Sequence, residues 1–221
     1  MIERPSPNFD RRPGDGVIDM LVLHYTGMET AAAAIGRLCD RRAKVSAHYV
    51  VGEDGLVVRL VAEDKRAWHA GEAIWRGDRG VNARSIGIEL VNPGHQLGYR
   101  DFTEPQMTAL EALALDIIRR HPIPDGNVVG HSDVAPDRKT DPGEKFDWRR
   151  LASAGIGRWP ETAVATGAED VAGLLAEIGY GTTDLAAAVG AFQRRYRPAR
   201  IDAVADGQTL ALMAAVAALH P

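Results

Sequence analysis

The apolar pattern of this chain changes period near residue 100, from short runs of strand type to a three-and-four spacing of helical type. Upstream, residues 20–26 form an apolar run closed by Gly27, which reads as a buried strand delivering His24 near its C-terminal end. Residues 30–40 are Ala-rich and read as a helix. Residues 48–52 and 56–61 read as two strands, and the Asp54-Gly55 pair between them marks a hairpin turn. Residues 85–91 alternate and give the next strand, closed by Asn92-Pro93-Gly94. Downstream, Met107, Leu110, Leu113, Ile117 and Ile118 mark one helical face, with Thr103 and Gln106 at the spacing of a capping box. Residues 127–130 are one more short strand ending at His131, before a loop rich in Pro, Asp and Lys that runs to Trp148. Strands interleaved with helices predict an α/β or α+β domain on a central sheet.

The 221 residues exceed what one small domain needs, and 45% hydrophobic with 25% charged residues is the mixture of an ordinary globular protein. Residues 155–165 read as a linker, and three amphipathic segments follow. These are marked by Val171, Leu174, Leu175 and Ile178 with Gly179 as a stop; by Leu185, Val189, Phe192 and Tyr196; and by Leu212, Met213, Val216 and Leu219. Thr166 and Glu169 make a second capping box. The expected organisation is a domain over 1–155, a linker over 156–165 and a small three-helix unit over 166–221, at the lower limit of independent stability.

A net charge of −4 carries no basic excess, so neither nucleic acid nor a membrane surface is an expected partner. Cys39 is the sole cysteine, so no internal disulfide is required, and it reads as a small buried residue of the first helix. The first fourteen residues are polar and broken by prolines, and no stretch approaches the ~18 apolar residues of a membrane span. The expectation is a cytoplasmic protein, or a periplasmic one if a leader has been removed.

Metal-binding side chains concentrate at His24 and in residues 130–143. A catalytic zinc takes three protein ligands and keeps a position open to water. His24, His131 and Asp141 would satisfy it, although no short ligand pair is present and His48, His69 and His95 compete on spacing alone. His121 and His220, near helix ends, look ordinary. A histidine in an apolar strand must satisfy both ring nitrogens, and a metal with a carbonyl partner is one of few ways to do so. Glu89 interrupts another apolar strand; it is either a general base whose pKa burial has raised, or one half of a salt bridge to Arg84 or Lys139. Lys139 is either a donor to an oxyanion or a solvated loop lysine.

The segments Asp64-Lys-Arg-Ala-Trp-His-Ala-Gly71, Ser85-Ile-Gly-Ile-Glu-Leu90 and Gly130-His-Ser-Asp-Val-Ala-Pro-Asp-Arg-Lys-Thr-Asp-Pro-Gly143, followed by Phe146-Asp-Trp148, resemble the zinc N-acetylmuramoyl-L-alanine amidases of the AmpD and AmiD type. That family includes the peptidoglycan recognition proteins and phage amidases, and the likeness runs over roughly residues 15 to 151. The resemblance implies a central mixed β-sheet flanked by helices, with zinc in a groove on the sheet. It makes His24, His131 and Asp141 the zinc ligands, Glu89 the acid/base and Lys139 the oxyanion-stabilising residue. Trp68, His69, Asn82 and Arg84 become substrate contacts, while His48 falls where the family does not use a ligand. The implied reaction cleaves the amide between N-acetylmuramic acid, or its 1,6-anhydro form, and L-alanine of a peptidoglycan stem peptide.

Residues 185–196 and 201–210 resemble a three-helix peptidoglycan-binding domain, except that Ala203-Val-Ala-Asp206 stands where an Asp-Gly-x-x-Gly run is common. The wording of residues 137–142 is close to the cytoplasmic AmpD branch, which implies wall recycling with muropeptides and anhydro-muropeptides as substrates; separately, the expected state is a monomer. The alternatives are a non-catalytic peptidoglycan-recognition protein and a zinc peptidase that cuts within the stem peptide.

Overall fold

In the computed structural model, which describes residues 1–161 and 170–219, the strand at Met20–Tyr25 (β3) is buried on both faces. Its side chains alternate: Leu21 and Leu23 enter one apolar layer, Met20 and Val22 the other. A strand covered on both sides belongs in the middle of a sheet with helices on each face. The sheet has six strands in the order β1-β5-β4-β7-β3-β8, where β1 is Ile2–Glu3, β4 Tyr49–Val51, β5 Val57–Arg59, β7 Ser85–Leu90 and β8 Val128–Gly130. Only the β4–β5 hairpin is antiparallel; the other pairings are parallel, so the sheet is mixed, as expected. A second small sheet pairs β2 (Phe9–Arg11) with β6 (Lys65–Ala67) antiparallel.

On the Leu21 and Leu23 side lies the helix Glu104–Arg120 (α4), whose Met107, Leu110, Leu113, Ala114 and Ile117 meet Ile86, Ile88 and Leu90 of β7. Burial of each such side chain contributes about 1.5–3 kcal/mol. The Thr103–Gln106 capping box is only half formed. Thr103 Oγ1 accepts the Gln106 N–H, but the Gln106 amide donates instead to the carbonyls of Val51 and Val91, tying α4 to two strands.

Other helices are the Ala-rich α1 (Ala31–Cys39, capped by Thr30), the single turns α2 (Val81–Arg84), α3 (Gly94–Leu97) and α5 (His131–Val134), and α6 (Trp148–Ser153). Cys39 is half-buried at the end of α1, not fully buried, and its thiol donates to the Arg4 carbonyl.

The three C-terminal segments are helices, as their spacing predicts: α7 (Val171–Ile178), α8 (Leu185–Tyr196) and α9 (Gly207–Ala217), capped by Asp170, Asp184 and Asp206. The Thr166–Glu169 pair, and the linker beyond Glu161, lie outside the described residues. Leu185 opens α8 exposed and is not part of its buried face. Gly179 ends α7 at φ +132, and a Cβ there would strike the Trp75 ring at 2.8 Å. Leu175, Ile178, Tyr180, Phe192 and Val216 join Met20, Val22 and Trp75 in one continuous core, so these helices cover the second face of the sheet. No helix among the described residues is long and apolar enough to cross a membrane.

Candidate metal centre and active site

Three parallel strands deliver the site to their C-terminal ends. In register, His24 of β3 lies beside Glu89 of β7, and Leu23 lies beside Gly130 of β8, so His131 follows at the level of His24. Side chains at matched positions of parallel strands share a face, which places all three together. Asp141 comes from the loop beyond α5, pinned where its carbonyl accepts the Ser132 N–H at 2.8 Å. His24, His131 and Asp141 are 1%, 3% and 6% exposed.

Their inward atoms form a nearly equilateral triangle: His24 Nδ1 to His131 Nδ1 is 2.9 Å, His24 Nδ1 to Asp141 Oδ2 3.1 Å and His131 Nδ1 to Asp141 Oδ2 3.0 Å. The outer partners fix the protons. His131 Nε2 donates to the Ala70 carbonyl, so the neutral ring carries a bare lone pair at Nδ1. Ser85 Oγ gives its one proton to the Val81 carbonyl and can only accept from His69 Nε2. That leaves His69 Nδ1 bare, so His24 Nε2 donates to it at 3.0 Å and His24 Nδ1 also faces inward as a lone pair. Burial and the neighbouring His131 lower the His24 pKa to about 4, keeping it neutral near pH 7. Burial raises the Asp141 pKa, but His131 and His24 outweigh it and hold the carboxylate charged, well below its ordinary range.

Three lone-pair donors about 3 Å apart repel one another unless a cation lies between them. Two imidazoles and a carboxylate are a donor set that zinc accepts, and ligands about 2.0–2.1 Å from a tetrahedral centre stand roughly 3.3 Å apart. The residues therefore fit a metal ion. Gly87 belongs to the same design, because a Cβ there would lie 2.5 Å from the His69 ring that holds His24.

Beside the triangle opens a cavity of about 540 Å³ whose walls include Trp68, Glu89, Lys139 and Met28. Glu89 Oε2 is buried without a hydrogen-bond partner. Burial first, and the Asp141 carboxylate second, raise its pKa well above the ordinary value, against the opposing pull of Lys139. A carboxyl so placed holds a proton more readily than an exposed one, as a group that takes and returns a proton must. The Glu89–Arg84 salt bridge does not form, because Arg84 pairs with Asp19 and Asp78.

Trp68 reaches the cavity, with its indole N–H fixed on Asp10 at 2.8 Å. His69 borders it too, but both ring nitrogens are spent on His24 and Ser85, so it supports His24 and has none left for a substrate. Asn82 and Arg84 are not brought to the cavity. Asn82 Oδ1 accepts the backbone N–H groups of His69 and Ala70, which positions the loop carrying His69. His48 is buried elsewhere, accepting the Gly87 N–H at Nδ1, and burial lowers its pKa to about 3. His95 sits on the rim between Tyr25 and Glu144, His121 pairs with Glu63, and His220 lies outside the described residues. Sequence reasoning missed Ser85 and the rim residue Tyr25. The shared strand face of Ser85, Gly87 and Glu89 was the available signal for the first, and adjacency to His24 for the second.

Residues 14–144 match the family model described as N-acetylmuramoyl-L-alanine amidase. The chain is 36% identical to the N-acetylmuramoyl-L-alanine amidase AmiD of Escherichia coli, over 90% of this chain and 82% of that protein. It is 38% identical to the 1,6-anhydro-N-acetylmuramyl-L-alanine amidase AmpD of Citrobacter freundii, over 66% and 86%. Among solved structures it superposes on E. coli AmiD in complex with the substrate anhydro-N-acetylmuramic acid-L-Ala-D-γ-Glu-L-Lys at TM-score 0.82 and 34% identity, covering 98% and 93% of the two chains. It superposes on AmpDh3 of Pseudomonas aeruginosa at TM-score 0.85 and 32% identity, covering 99% and 96%. With more than half its length matched by the family model and an AmiD likeness across nearly all of it, the chain belongs to the N-acetylmuramoyl-L-alanine amidase family.

Proposed function

We propose that this amidase is a zinc enzyme in which His24, His131 and Asp141 hold the ion, and that it acts on anhydro-muropeptides in wall recycling. The observation that carries the reading is the triangle of inward lone pairs, 2.9–3.1 Å apart, beside a carboxyl whose pKa is raised. Bound there, zinc would acidify a water and polarise a carbonyl oxygen. Glu89 takes the proton of the attacking water and hands it to the departing alanine nitrogen. Lys139 meets the negative charge that develops on the lactyl oxygen. Trp68 offers an apolar wall to the substrate. The rival reading of a non-catalytic receptor leaves the unpartnered Glu89 Oε2 without a use, since a buried polar atom with no hydrogen bond lowers stability.

The working division is a catalytic unit over 1–155, a linker over 156–165 and a peptidoglycan-binding-like unit over 166–221, in a monomer of the cytoplasm. The deciding experiment is metal analysis joined to product analysis. One zinc per chain, loss of activity on chelation, its return with zinc, and release of a peptide with a free L-alanine N-terminus are expected. An intact muramyl-alanine bond with cleavage inside the stem would make the protein a peptidase. Activity on whole sacculi but none on anhydro-muropeptide would overturn the recycling role.

A further inference from the structure

His131 is carried by α5, a single turn of four residues, which is too short to fix its own orientation. The turn is held instead by Asp133, which is 1% exposed. Asp133 Oδ2 accepts the Gly130 N–H at 2.8 Å and Arg195 Nη1 at 2.9 Å, while Oδ1 accepts the Tyr180 hydroxyl at 2.7 Å. Arg195 and Tyr180 belong to the C-terminal helical unit, one on α8 and the other just past α7. From the same nitrogen Arg195 also donates to the Val128 carbonyl at 3.1 Å, and its guanidinium lies 3.9 Å from the Trp148 ring centre. The segment 128–133 is thus gripped on both sides of His131: at Val128 and Gly130 before it, and at Asp133 after it. None of these groups lines the cavity beside the metal triangle.

We propose that Arg195 and Tyr180, acting through Asp133, are positioning residues for the metal ligand His131, so that the C-terminal unit completes the metal centre. The inference rests on the assignment of His24, His131 and Asp141 as ligands. A buried ion pair can be a mere structural clamp, and an apolar replacement is often neutral for stability, so folding alone does not separate the two roles. Metal affinity does separate them: loss of a group bonded directly to a metal ligand lowers affinity by roughly 10–100-fold, and Tyr180 and Arg195, which reach His131 only through Asp133 and the backbone, should lower it in the same direction by less.

The test compares full-length Tyr180→Phe, Arg195→Met and Arg195→Lys with the parent protein. The readouts are zinc affinity by chelator competition, the visible spectrum of the cobalt-substituted protein, and kcat and KM on anhydro-muropeptide. Tyr180→Phe keeps the ring in the core and removes one hydrogen bond, so it holds the fold while loosening Asp133. Zinc affinity lowered by several-fold and up to roughly 10-fold, a shifted cobalt band and reduced kcat at near-parental KM are expected for Tyr180→Phe, with a larger loss in Arg195→Met and partial rescue in Arg195→Lys. Parental zinc affinity and an unshifted cobalt band in folded Tyr180→Phe would overturn the inference, whatever Arg195→Met does. If the parent itself binds no zinc, it is the ligand assignment that has failed.

Discussion

Glu89 stands at a strand position where an apolar residue would be more stable, and one of its oxygens is buried with no partner. A fold keeps such a group where its raised proton affinity is useful. Replacing it with glutamine preserves shape while removing the ability to accept a proton. Glu89→Gln is expected to bind zinc in parental stoichiometry and to lose roughly 10²–10⁴-fold in kcat; metal content and initial rates measured on one sample check this, and parental turnover would remove Glu89 from the reaction. At this scale His24 and Glu89 were legible because each breaks an apolar strand. The role of His69 was not. Its tautomer depends on Ser85, on the Val81 carbonyl and on the space left by Gly87, and these contacts are made only once the strand and the loop meet.

Among the elements, Glu63 ties three pieces of chain that no local signal connects. Its carboxylate accepts the Tyr49 hydroxyl from β4 at 2.7 Å, Arg120 from the end of α4 at 2.7 Å and His121 at 2.7 Å. Burial would raise its pKa, but Arg120, His121 and Tyr49 together hold it down to about 2. A carboxyl depressed from its ordinary value of 4.5 stabilises the fold above that pH and loses the contribution as pH falls toward 2. The side chain is 16% exposed, and the shift corresponds to a few kcal/mol. On metal-free protein, denaturant midpoints of the parent and Glu63→Gln should differ most near pH 7 and converge as pH drops from about 4.5 to 2; a difference constant across that window would refute the linkage. Apolar period made β3, β4, β5, β7, β8 and the helices α4, α7, α8 and α9 readable, but not the two- and three-residue strands β1, β2 and β6 or the short helices α2, α3, α5 and α6, which are too brief to show a period. Gln106 shows where that reading stops, because at capping-box spacing its amide found two strand carbonyls, Val51 and Val91, more than a local turn could offer.

For the molecule as a whole, the composition change near residue 160 marks a boundary in sequence but says nothing about what the last three helices cover. The stripe of Val171, Leu174, Leu175 and Ile178 reads the same whether it closes a separate bundle or a sheet face. In the fold it closes the sheet face, since Leu175, Ile178, Phe192 and Val216 share one core with Met20, Val22 and Trp75. At roughly 1.5–3 kcal/mol for each large apolar side chain buried, this junction rivals the 5–15 kcal/mol net stability of an ordinary domain. A fragment ending at residue 161 would leave Met20, Val22 and Trp75 facing water and Asp133 without Arg195 and Tyr180. It is therefore expected to melt at least ~10 °C below the full chain, or to aggregate. Adding the C-terminal fragment in trans should restore part of the loss, because the lost contacts lie across an interface and not within either chain piece. Calorimetry of the full chain, the fragment and the mixture decides it: a fragment with the parental melting temperature would mean that the sheet face is stable bare, and that the helices are an appendage.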